Sequence, residues 1–461
     1  MGEKRGKMMG ILAVDAGSTN LKAALLGYDG KVIIQKSCKT PLVCQEVYVE
    51  GEAGLLYEKV VDLMRDVISE SEECEVKVVC IASQMTSLLC LDGDMEPISS
   101  LIYGIDTRGD GYLGRLEEFL PLEKIYEVTG CPIKGIYWPG KLMWMREHCP
   151  DVLERTRYLV GAKEYLLYRL TGELLIDCAS ASTTQIYDQE NGKWWKEMLD
   201  FLDMDTVTLP EIRKPYEQAG LLNKETAEKL GIIPVPVLVG SGDGPVATIS
   251  SGGIRFGDCC ISFGTTTVTR LVTNSWKAVC PEFFVQHLDD GVYLQGIRIN
   301  DGGRAAEPYI RASGGVEQPA EGAFYMEGKF YPKEPPTAGG KMAAVLNGVL
   351  FQIYAAMLPT VRAGEILRIL PTGGGSGNAA YMQRTANLFQ VPVAIMEQGE
   401  AFAGLAALAL VYEKMAEDLF SAASLLSLEW RLLTPKKDRE LEEQFHRFSE
   451  IAGRKVGASF E

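Results

Sequence analysis

The feature that most constrains the fold is a strand–bend–strand segment near the start of the chain, ILAVDAGSTNLKAALLGYDGKVII at residues 11–34. The residues before Asp15 are apolar, and apolar residues recur at every second position from Leu21 to Leu25. This alternation predicts two half-buried strands joined by a polar bend. Asp29 and Gly30 then form a typical hairpin turn, so the segment predicts three antiparallel strands in succession.

The bend itself, from Asp15 to Thr19, carries the sharpest polar feature of this segment. A Gly-Ser-Thr bend points backbone N–H groups and hydroxyls outward, which suits a phosphate group. Its carboxylate suits a hydrated magnesium ion. A plain hairpin with a polar turn remains the alternative interpretation of this stretch alone.

A weak internal repeat of the segment occurs in CCISFGTTTVTRLVT, residues 259–273. Aligning Gly17 with Gly264 gives an offset of 264 − 17 = 247 residues. This offset pairs Ser18 with Thr265, Thr19 with Thr266 and Leu21 with Val268, and it places Ser262 where the first copy has Asp15. Two such hairpins predict two similar domains that face each other across a cleft, with chance resemblance as the alternative.

Bulk properties narrow the class of protein. A chain of 461 residues is long enough for two domains, and its formal charge of −16 argues against nucleic acid or an anionic membrane as the main partner. The start shows no signal-peptide pattern, and the longest apolar run, residues 401–412, is too short to span a bilayer. Eleven cysteines without a C-x-x-C pair indicate reduced thiols and a cytoplasmic location. Three isolated histidines give little support to zinc chemistry or a histidine-based triad.

Strands and helices alternate along the chain. The patterns predict a buried strand at 76–83, a helix at 162–173, and a strand, glycine-rich turn and helix start within 235–253. In the second half they predict a helix at 341–357, a strand at 365–372 and a helix from 379. The segment after Thr434 reads as a charged helix with a solvated outer face, and the hinge is predicted near residues 246–257.

Three polar motifs follow predicted strands. Asp243, in GSGDGP, should lie at the carboxyl end of a strand, where open α/β sheets bind ligands, although a helix N-cap is the alternative. PTGGGSGN at residues 371–378 could carry a bulky group on its backbone or be a flexible turn. Asp106 and Arg108, in GIDTRGDG, could be a surface ion pair or a fork for hydroxyls.

Two nucleotide-binding motifs are dismissed. GSGDGP, residues 240–245, fails the pattern G-x-G-x-x-G because Pro245 stands where the last glycine belongs. GIYWPGKL, residues 135–142, nearly spells a P-loop, but Leu142 replaces the required hydroxyl and no buried strand precedes it.

In their order, these motifs resemble the FGGY carbohydrate kinases, within the actin-like, Hsp70-like and sugar-kinase ATPase superfamily. DAGSTNLKA resembles the first phosphate motif of that family and SFGTTT the second. GGGSGNAAYMQ followed by EAFAGLAALAL resembles the adenosine motif, and QMTS, IDTR, AKEYLLYRLTGE and SASTTQIYD resemble the amino-terminal domain. The resemblance runs from about residue 11 to about residue 412.

The resemblance implies an α/β fold of two ribonuclease-H-like domains, residues 8–246 and 247–455, flanking a nucleotide cleft that holds ATP and Mg²⁺. It implies that Asp243 is the catalytic base for transfer of a phosphoryl group to a hydroxyl of a small free sugar, polyol or sugar acid, and that Asp15 binds the metal. The substrate-binding residues that it implies are Gln84, Met85, Thr86, Asp106, Arg108, Tyr137, Trp138 and Asp243. The nucleotide-binding residues that it implies are Ser18, Thr19, Asn20, Lys22, Gly264, Thr265, Thr266, Gly374, Gly375 and Asn378.

The sequence departs from the family pattern at the acceptor pocket. Thr86 stands where many members have histidine, Gly104 where many have tryptophan, and Gly244 where ketose and glycerol kinases have asparagine or glutamine. The Asp-Gly pair resembles gluconate-type members and points to a sugar acid, while the identity of the substrate does not transfer. A homodimer is plausible from the family. An actin-like or Hsp70-like ATPase and a sugar-sensing relative with little turnover stay open as alternatives.

Overall fold

This computed structural model describes residues 8–71, 73–280, 282–299, 302–318, 320, 322–396 and 402–455. The described chain forms two compact units. The first unit contains residues 8–254, 274–294 and 402–427, and the second contains 255–273, 295–396 and 428–455. Because the chain passes from one unit to the other more than once, each unit is discontinuous in sequence. The domain boundary between residues 246 and 247 stays a prediction.

The described residues form the following strands. In chain order they are β1 (Met8–Ala16), β2 (Asn20–Leu26), β3 (Val32–Lys39), β4 (Leu42–Gln45), β5 (Tyr48–Gly51), β6 (Cys74–Ser83), β7 (Leu89–Leu91), β8 (Leu101–Ile102), β9 (Tyr158–Val160), β10 (Leu175–Asp177), β11 (Tyr187–Asp188), β12 (Lys193–Trp194), β13 (Glu211–Arg213), β14 (Gln218–Leu221), β15 (Pro236–Leu238), β16 (Ser241–Gly242), β17 (Asp258–Phe263), β18 (Thr267–Thr273), β19 (Phe284–Asp289), β20 (Val292–Gly296), β21 (Arg298–Ile299), β22 (Phe324–Met326), β23 (Lys329–Tyr331), β24 (Arg368–Thr372), β25 (Val393–Met396) and β26 (Trp430–Leu433).

The helices connect these strands. They are α1 (Ala53–Ser69), α2 (Leu116–Phe119), α3 (Leu122–Thr129), α4 (Trp138–His148), α5 (Pro150–Arg155), α6 (Ala162–Thr171), α7 (Cys178–Ala181), α8 (Lys196–Phe201), α9 (Lys224–Leu230), α10 (Asp243–Ser250), α11 (Gly302–Ser313), α12 (Ala338–Arg362), α13 (Ala379–Phe389), α14 (Ala403–Tyr412), α15 (Leu419–Leu425) and α16 (Arg439–Lys455), with 3₁₀ turns at Arg108–Arg115 and Gly374–Gly377.

The sheet of the first unit has the order β14-β15-β6-β1-β2-β3, and β16 also pairs with β6. Strand β6 runs parallel to β1, with Asp15 opposite Ala82, and parallel to β16, with Ser241 opposite Ala82. Strands β1, β2 and β3 form the predicted antiparallel meander. The parallel registers therefore put Asp15 and Ser241 at one level of the sheet, on either side of β6.

The second unit repeats this arrangement. Strands β17 and β18 form an antiparallel hairpin, and β24 lies parallel to β17 with Thr372 opposite Ser262. The order β18-β17-β24 thus corresponds to β2-β1-β6, which confirms the predicted fold class of two related α/β units.

The register of the second hairpin corrects one predicted equivalence. Leu21 pairs with Ala16 in the first hairpin, whereas in the second the partner of Phe263 is Thr267. The second bend is therefore one residue shorter, so Thr267, and not Val268, occupies the position that corresponds to Leu21.

Helix α14 completes the core of the first unit, and α12 and α16 complete the core of the second. In the first unit, residues 403–410 of α14 are all buried, and the Gly404 N–H donates to Ser250 Oγ of α10 at 2.7 Å. In the second unit, α12 is long and apolar enough to cross a bilayer by length and composition, but most of its apolar stretch is buried inside the protein. The predicted solvated helix after Thr434 proves to have one buried face, because Phe448 of α16 packs on Phe351 of α12.

The turn before β16 depends on one glycine and gives a testable prediction. Gly240 has φ +69°, and a Cβ there would collide with the Ile81 carbonyl oxygen of β6. We expect Gly240→Ala to lower the free energy of unfolding by more than the roughly 1–2 kcal/mol cost of a left-handed non-glycine residue alone.

Gly231→Ala is the matched control, because Gly231 has the same φ of +69° and open space around its Cβ position. Urea unfolding of both variants measures the difference. Equal losses of stability would show that the collision with β6 does not contribute.

Candidate active site

The carboxylate of Asp15 lies at the carboxyl end of β1 in a setting unusual for an acidic group. Its side chain is 23 % exposed, and Lys22 Nζ, across the hairpin, is 3.7 Å from Oδ2. The other oxygen, Oδ1, is buried and has no hydrogen-bond partner within the described protein. An unpaired buried oxygen is costly unless a ligand satisfies it, so this atom is suited to bind a cation or a water held by one.

The pKa of Asp15 is raised from 3.8 to about 6, mainly by burial and in addition by the nearby negative charge of Asp243, against the opposing effect of Lys22. The two carboxylates therefore interact electrostatically although they come from strands separated by β6. Two strand spacings correspond to roughly 10 Å between the strand axes. A cation bound near Asp15 would relieve this repulsion.

Asp243 is exposed and is the first residue of α10, directly after β16. The N-cap of α10 is Gly242, so the alternative interpretation of Asp243 as an N-cap is wrong. Asp243 Oδ1 accepts a hydrogen bond from the Gly244 N–H at 2.7 Å. The N-terminal end of the helix dipole favours the charged carboxylate, which suits a group that must accept a proton.

The other predicted groups of the first bend surround Asp15. Ser18, Asn20 and Lys22 are half-buried and Thr19 is exposed. Thr40 holds the bend from behind, because its hydroxyl donates to the Gly17 carbonyl at 2.7 Å and its N–H to the Thr19 carbonyl at 3.2 Å. The backbone that carries the hydroxyls and N–H groups of the bend is thus held in place by Thr40.

Gln84, Met85 and Thr86 follow β6 at the same edge of the sheet. Gln84 is 7 % exposed, its Oε1 accepts the Gly104 N–H at 2.9 Å, and its Nε2 has no hydrogen-bond partner within the described protein. Such an amide donor is available to a substrate oxygen.

Two of the departures from the family pattern, Thr86 and Gly104, prove to be a single structural unit. Thr86 has φ +63°, and its hydroxyl donates to the carbonyl oxygens of Met85 at 2.6 Å and Gly104 at 3.1 Å. A Cβ on Gly104 would collide with the Met85 carbonyl and the Thr86 hydroxyl. The small residue at 104 is therefore what allows the unusual backbone at Thr86.

Lys141, which lies in the dismissed P-loop-like motif, is a residue that the sequence interpretation missed. Its side chain is fully buried, and Nζ donates to the Thr86 carbonyl at 2.7 Å and the Tyr103 carbonyl at 3.0 Å. Burial lowers its pKa to about 7. Lys141 thus joins the two segments that carry the acceptor motifs, and nothing local in the sequence indicates these long-range partners.

Asp106 and Arg108 form a buried ion pair, so the interpretation of these two residues as a surface ion pair is wrong. Asp106 accepts hydrogen bonds from Arg108 Nε at 2.9 Å, Arg108 Nη2 at 2.8 Å and the Val49 N–H at 2.7 Å. Arg108 Nη2 also contacts Glu50 at 2.5 Å, and the guanidinium stacks over Trp144. These groups bind mainly each other, so their predicted contact with a substrate stays a prediction.

Tyr137 and Trp138 lie at the start of α4 and are 6 % and 1 % exposed. The Trp138 indole N–H donates to the Ser87 carbonyl at 2.8 Å. This burial argues against direct contact between Trp138 and an acceptor and gives the ring a packing role beneath residues 84–87.

The second unit presents its own bend, Gly264–Thr265–Thr266, with Thr265 exposed. The Gly303 N–H donates to the Gly264 carbonyl at 2.8 Å, and the Arg304 N–H donates to the Thr265 carbonyl at 3.2 Å. The start of α11 therefore supports the bend, a contact that the sequence interpretation also missed.

The glycine-rich segment that contains Gly374 and Gly375 lies beside the same hairpin. A Cβ on Gly375 would come within 2.7 Å of Phe263 Cβ, so the backbone of the segment passes close to β17. Asn378 caps α13, with Oδ1 accepting the Tyr381 N–H at 3.0 Å and Nδ2 donating to Glu317 at 2.7 Å. Gly374 is exposed and open, whereas Asn378 is already engaged. Of the following motif EAFAGLAALAL, Glu400 and Ala401 lie outside the described residues.

Comparison with known proteins identifies related chains over nearly the whole length. The family model "FGGY family of carbohydrate kinases, N-terminal domain" matches residues 10–250, and the corresponding C-terminal domain model matches residues 314–412. A gluconokinase of Bacillus subtilis is 23% identical over 90% of this chain and 89% of its own length. A xylulose kinase of Staphylococcus xylosus is 23% identical over 91% of this chain and 93% of its own length.

Solved structures share the fold. A gluconate kinase from Lactobacillus acidophilus has a TM-score of 0.88 at 23% identity and covers 98% of this chain and 99% of its own. A glycerol kinase from Plasmodium falciparum, solved with ADP, has a TM-score of 0.86 at 17% identity and covers 99% of this chain and 100% of its own.

The raised pKa of Asp15 predicts a dependence of stability on pH. Because its folded-state pKa of about 6 exceeds the ordinary 3.8, ionisation of Asp15 destabilises the fold, and this penalty is absent below about pH 4 and complete above about pH 6. We expect Asp15→Asn, in metal-free buffer, to raise the free energy of unfolding by about 1–3 kcal/mol near pH 7.5.

The gain should shrink as the pH falls through 6 toward 4, and urea unfolding across this range measures it. Asp66→Asn, at an exposed position on α1, is the control and should show no such trend. A loss of stability in Asp15→Asn at every pH would instead show that the carboxylate stabilises the fold.

Proposed function

Because the chain belongs to the FGGY family of carbohydrate kinases, we propose that it transfers the γ-phosphoryl group of ATP to a hydroxyl of a small acceptor, with Asp243 as the catalytic base. The observation that carries this assignment is the exposed carboxylate of Asp243 at the start of α10, at the sheet edge that also holds Asp15. Open α/β sheets bind their ligands at this carboxyl edge.

In the proposed step, Asp243 accepts the proton of the acceptor hydroxyl as its oxygen forms a bond to the γ-phosphorus. The bond between that phosphorus and the oxygen bridging to the β-phosphate breaks, and ADP leaves with the electron pair. Phosphoryl transfer requires mainly positioning, charge neutralisation and one group that orients the nucleophile. The location of Asp243 at a helix N-terminus supports the ionised form that this role needs.

Asp15 is the proposed magnesium-binding residue. Its unpaired buried Oδ1 and raised pKa fit a carboxylate whose natural partner is a cation. Bound Mg²⁺ would neutralise charge on the phosphate oxygens. Lys22, whose Nζ is 3.7 Å from Asp15 Oδ2, is proposed to contact phosphate from the same hairpin.

Each unit contributes its own candidate phosphate contacts. The proposed groups of the first unit are Ser18, Thr19 and Asn20 on the first bend. Those of the second unit are Gly264, Thr265 and Thr266, with Gly374 and Gly375 for adenosine and Asn378 as the cap of α13. Bends of this type offer N–H and hydroxyl donors to anions.

The acceptor is proposed to be a sugar acid, with a ketose as the next candidate. The named relatives include gluconokinases and xylulose kinases, and Gly244 gives the chain the Asp-Gly pair that resembles gluconate-type members. Gln84 Nε2 is proposed to bind an acceptor oxygen, because it is buried and has no hydrogen-bond partner among the described residues. None of the eleven cysteines, all of which lie among the described residues, forms a disulfide, which supports the proposed cytoplasmic location.

The base assignment predicts that Asp243→Asn lowers kcat by about 10²–10⁴-fold while ATP binding is retained, because only the proton acceptor is removed. Coupled measurement of ADP formation and isothermal titration with ATP separate the two effects. Asp151→Asn is the matched control, since Asp151 is also an exposed aspartate in the first turn of a helix. Near wild-type transfer by Asp243→Asn would contradict the assignment.

The substrate proposal predicts that ADP formation with Mg-ATP depends on the acceptor and is fastest with a sugar acid. A panel of sugar acids, ketoses, aldoses and polyols measures this directly. A rate of ADP formation that is independent of every sugar tested would favour an actin-like or Hsp70-like ATPase. Sugar-dependent thermal stabilisation without turnover would favour a sensor.

A further inference from the structure

A buried ionic cluster lies beneath the strand that leads to Asp243. It consists of Lys163, Glu164 and Asp177, whose side chains are 3 %, 4 % and 0 % exposed. Lys163 Nζ is 3.1 Å from Asp177 Oδ1 and 3.2 Å from Glu164 Oε1. Burying three charged groups is expensive even when they are paired, and apolar side chains of similar volume would stabilise a core as well or better. The cluster therefore calls for a role other than general stability.

The contacts of the cluster point to the segment just before Asp243. Asp177 Oδ2 accepts a hydrogen bond from the Ser241 hydroxyl at 2.7 Å, and Lys163 Nζ donates one to the Val239 carbonyl at 3.2 Å. The cluster thus holds the chain on both sides of Gly240. Ser241 is separated from Asp243 by Gly242 alone.

The same groups are anchored on two helices. The Ser180 N–H of α7 donates to Asp177 Oδ2 at 3.1 Å, and the Gly161 N–H at the start of α6 donates to Glu164 Oε2 at 3.0 Å. The cluster is therefore a rigid link from α6 and α7 to the β15–β16 turn. Strand β16 itself has a ladder of two residues with β6, with Ser241 opposite Ala82 and Gly242 opposite Ser83.

The positive charge of Lys163 is maintained in the folded protein. Burial lowers the pKa of Lys163, but Asp177 and Glu164 outweigh this effect and the pKa is raised overall. The Lys163 ammonium consequently stays charged at neutral pH and keeps its hydrogen bond to the Val239 carbonyl. Burial raises the pKa of Glu164.

We propose that Lys163 and Asp177 are positioning residues that act through Ser241 to hold the Asp243 carboxylate in line with the acceptor hydroxyl. The proposal rests on the assignment of Asp243 as the base. Displacement of a reacting group by about 1 Å costs on the order of 10²-fold in rate, so a link of this kind affects chemistry more than binding.

Ser241→Ala is the sharpest test, because it removes one hydroxyl and leaves all three charges paired. We expect kcat to fall about 10–100-fold while KM for ATP changes less than about twofold. Asp177→Asn should lower kcat in the same way, since it weakens both the ion pair and the acceptor of the Ser241 hydrogen bond.

Tyr57→Phe is the matched control. It removes a buried hydroxyl whose 2.7 Å hydrogen bond to Thr226 lies in the same unit and does not involve the segment before Asp243. We expect a loss of thermal stability similar to that of Ser241→Ala and a kcat close to wild type.

A double-mutant cycle separates positioning from stability. In the Asp243→Asn background, Ser241→Ala should have no further effect on the residual single-turnover rate, because the group that it positions is gone. An unchanged kcat in Ser241→Ala and Asp177→Asn, or a full multiplicative loss in the double variant, would overturn the positioning role. Wild-type transfer by Asp243→Asn would instead overturn the base assignment, and the positioning role with it.

Discussion

The parallel pairing of β6 with β1 on one side and β16 on the other is the constraint on which the site depends. It sets Asp15 and Ser241 at one level of the sheet and brings Asp243 to the same edge. A slip of one residue in either ladder would turn the side chains of that strand to the opposite face. The fully buried residues of β1 and β6 resist such a slip, so the position of two polar groups is determined by apolar packing around them.

The arrangement places like charges close together and leaves one carboxylate oxygen unpaired. The cost appears as the raised pKa of Asp15, and the ion pair with Lys22 offsets this rise only in part. Sites that bind polyvalent ligands often sacrifice stability in this way, because the ligand completes the charge balance. The backbone of Thr86 is a similar case. Its left-handed conformation is held by the hydrogen bond from Lys141 and is made possible by the small residue at Gly104.

Local signals in the sequence predicted the elements well. A run of apolar residues indicated β1, alternating apolar residues indicated β2, and a buried apolar stretch indicated β6. The stop at Gly172, which is left-handed at φ +85°, marked the end of α6. Asp243, the proposed catalytic base, was also identified from the sequence, because it follows a short apolar run and precedes a helix. These features depend on neighbours in sequence, which is why periodicity and turn chemistry reveal them.

What the sequence did not reveal depends on distant partners. Lys141 finds its acceptors at Thr86 and Tyr103, and Asp177 finds Ser241, across separations that no local pattern encodes. The shorter bend of the second hairpin is a matter of register and not of composition. The buried face of α16 was visible in principle, because Leu441 and Phe448 lie seven residues apart on one helical face, but its many charges obscured that signal.

The discontinuity of the two units has a consequence for how the protein is made. The first unit is completed by α14, whose buried residues pack on α10, and the second unit is completed by α16 near the end of the chain. A nascent chain on the ribosome therefore exposes the α14-facing surface of its earlier half until more than 400 residues have been synthesised. Domains ordinarily fold as they emerge, the amino-terminal one first. Here neither unit can complete its core until its last helix has been synthesised.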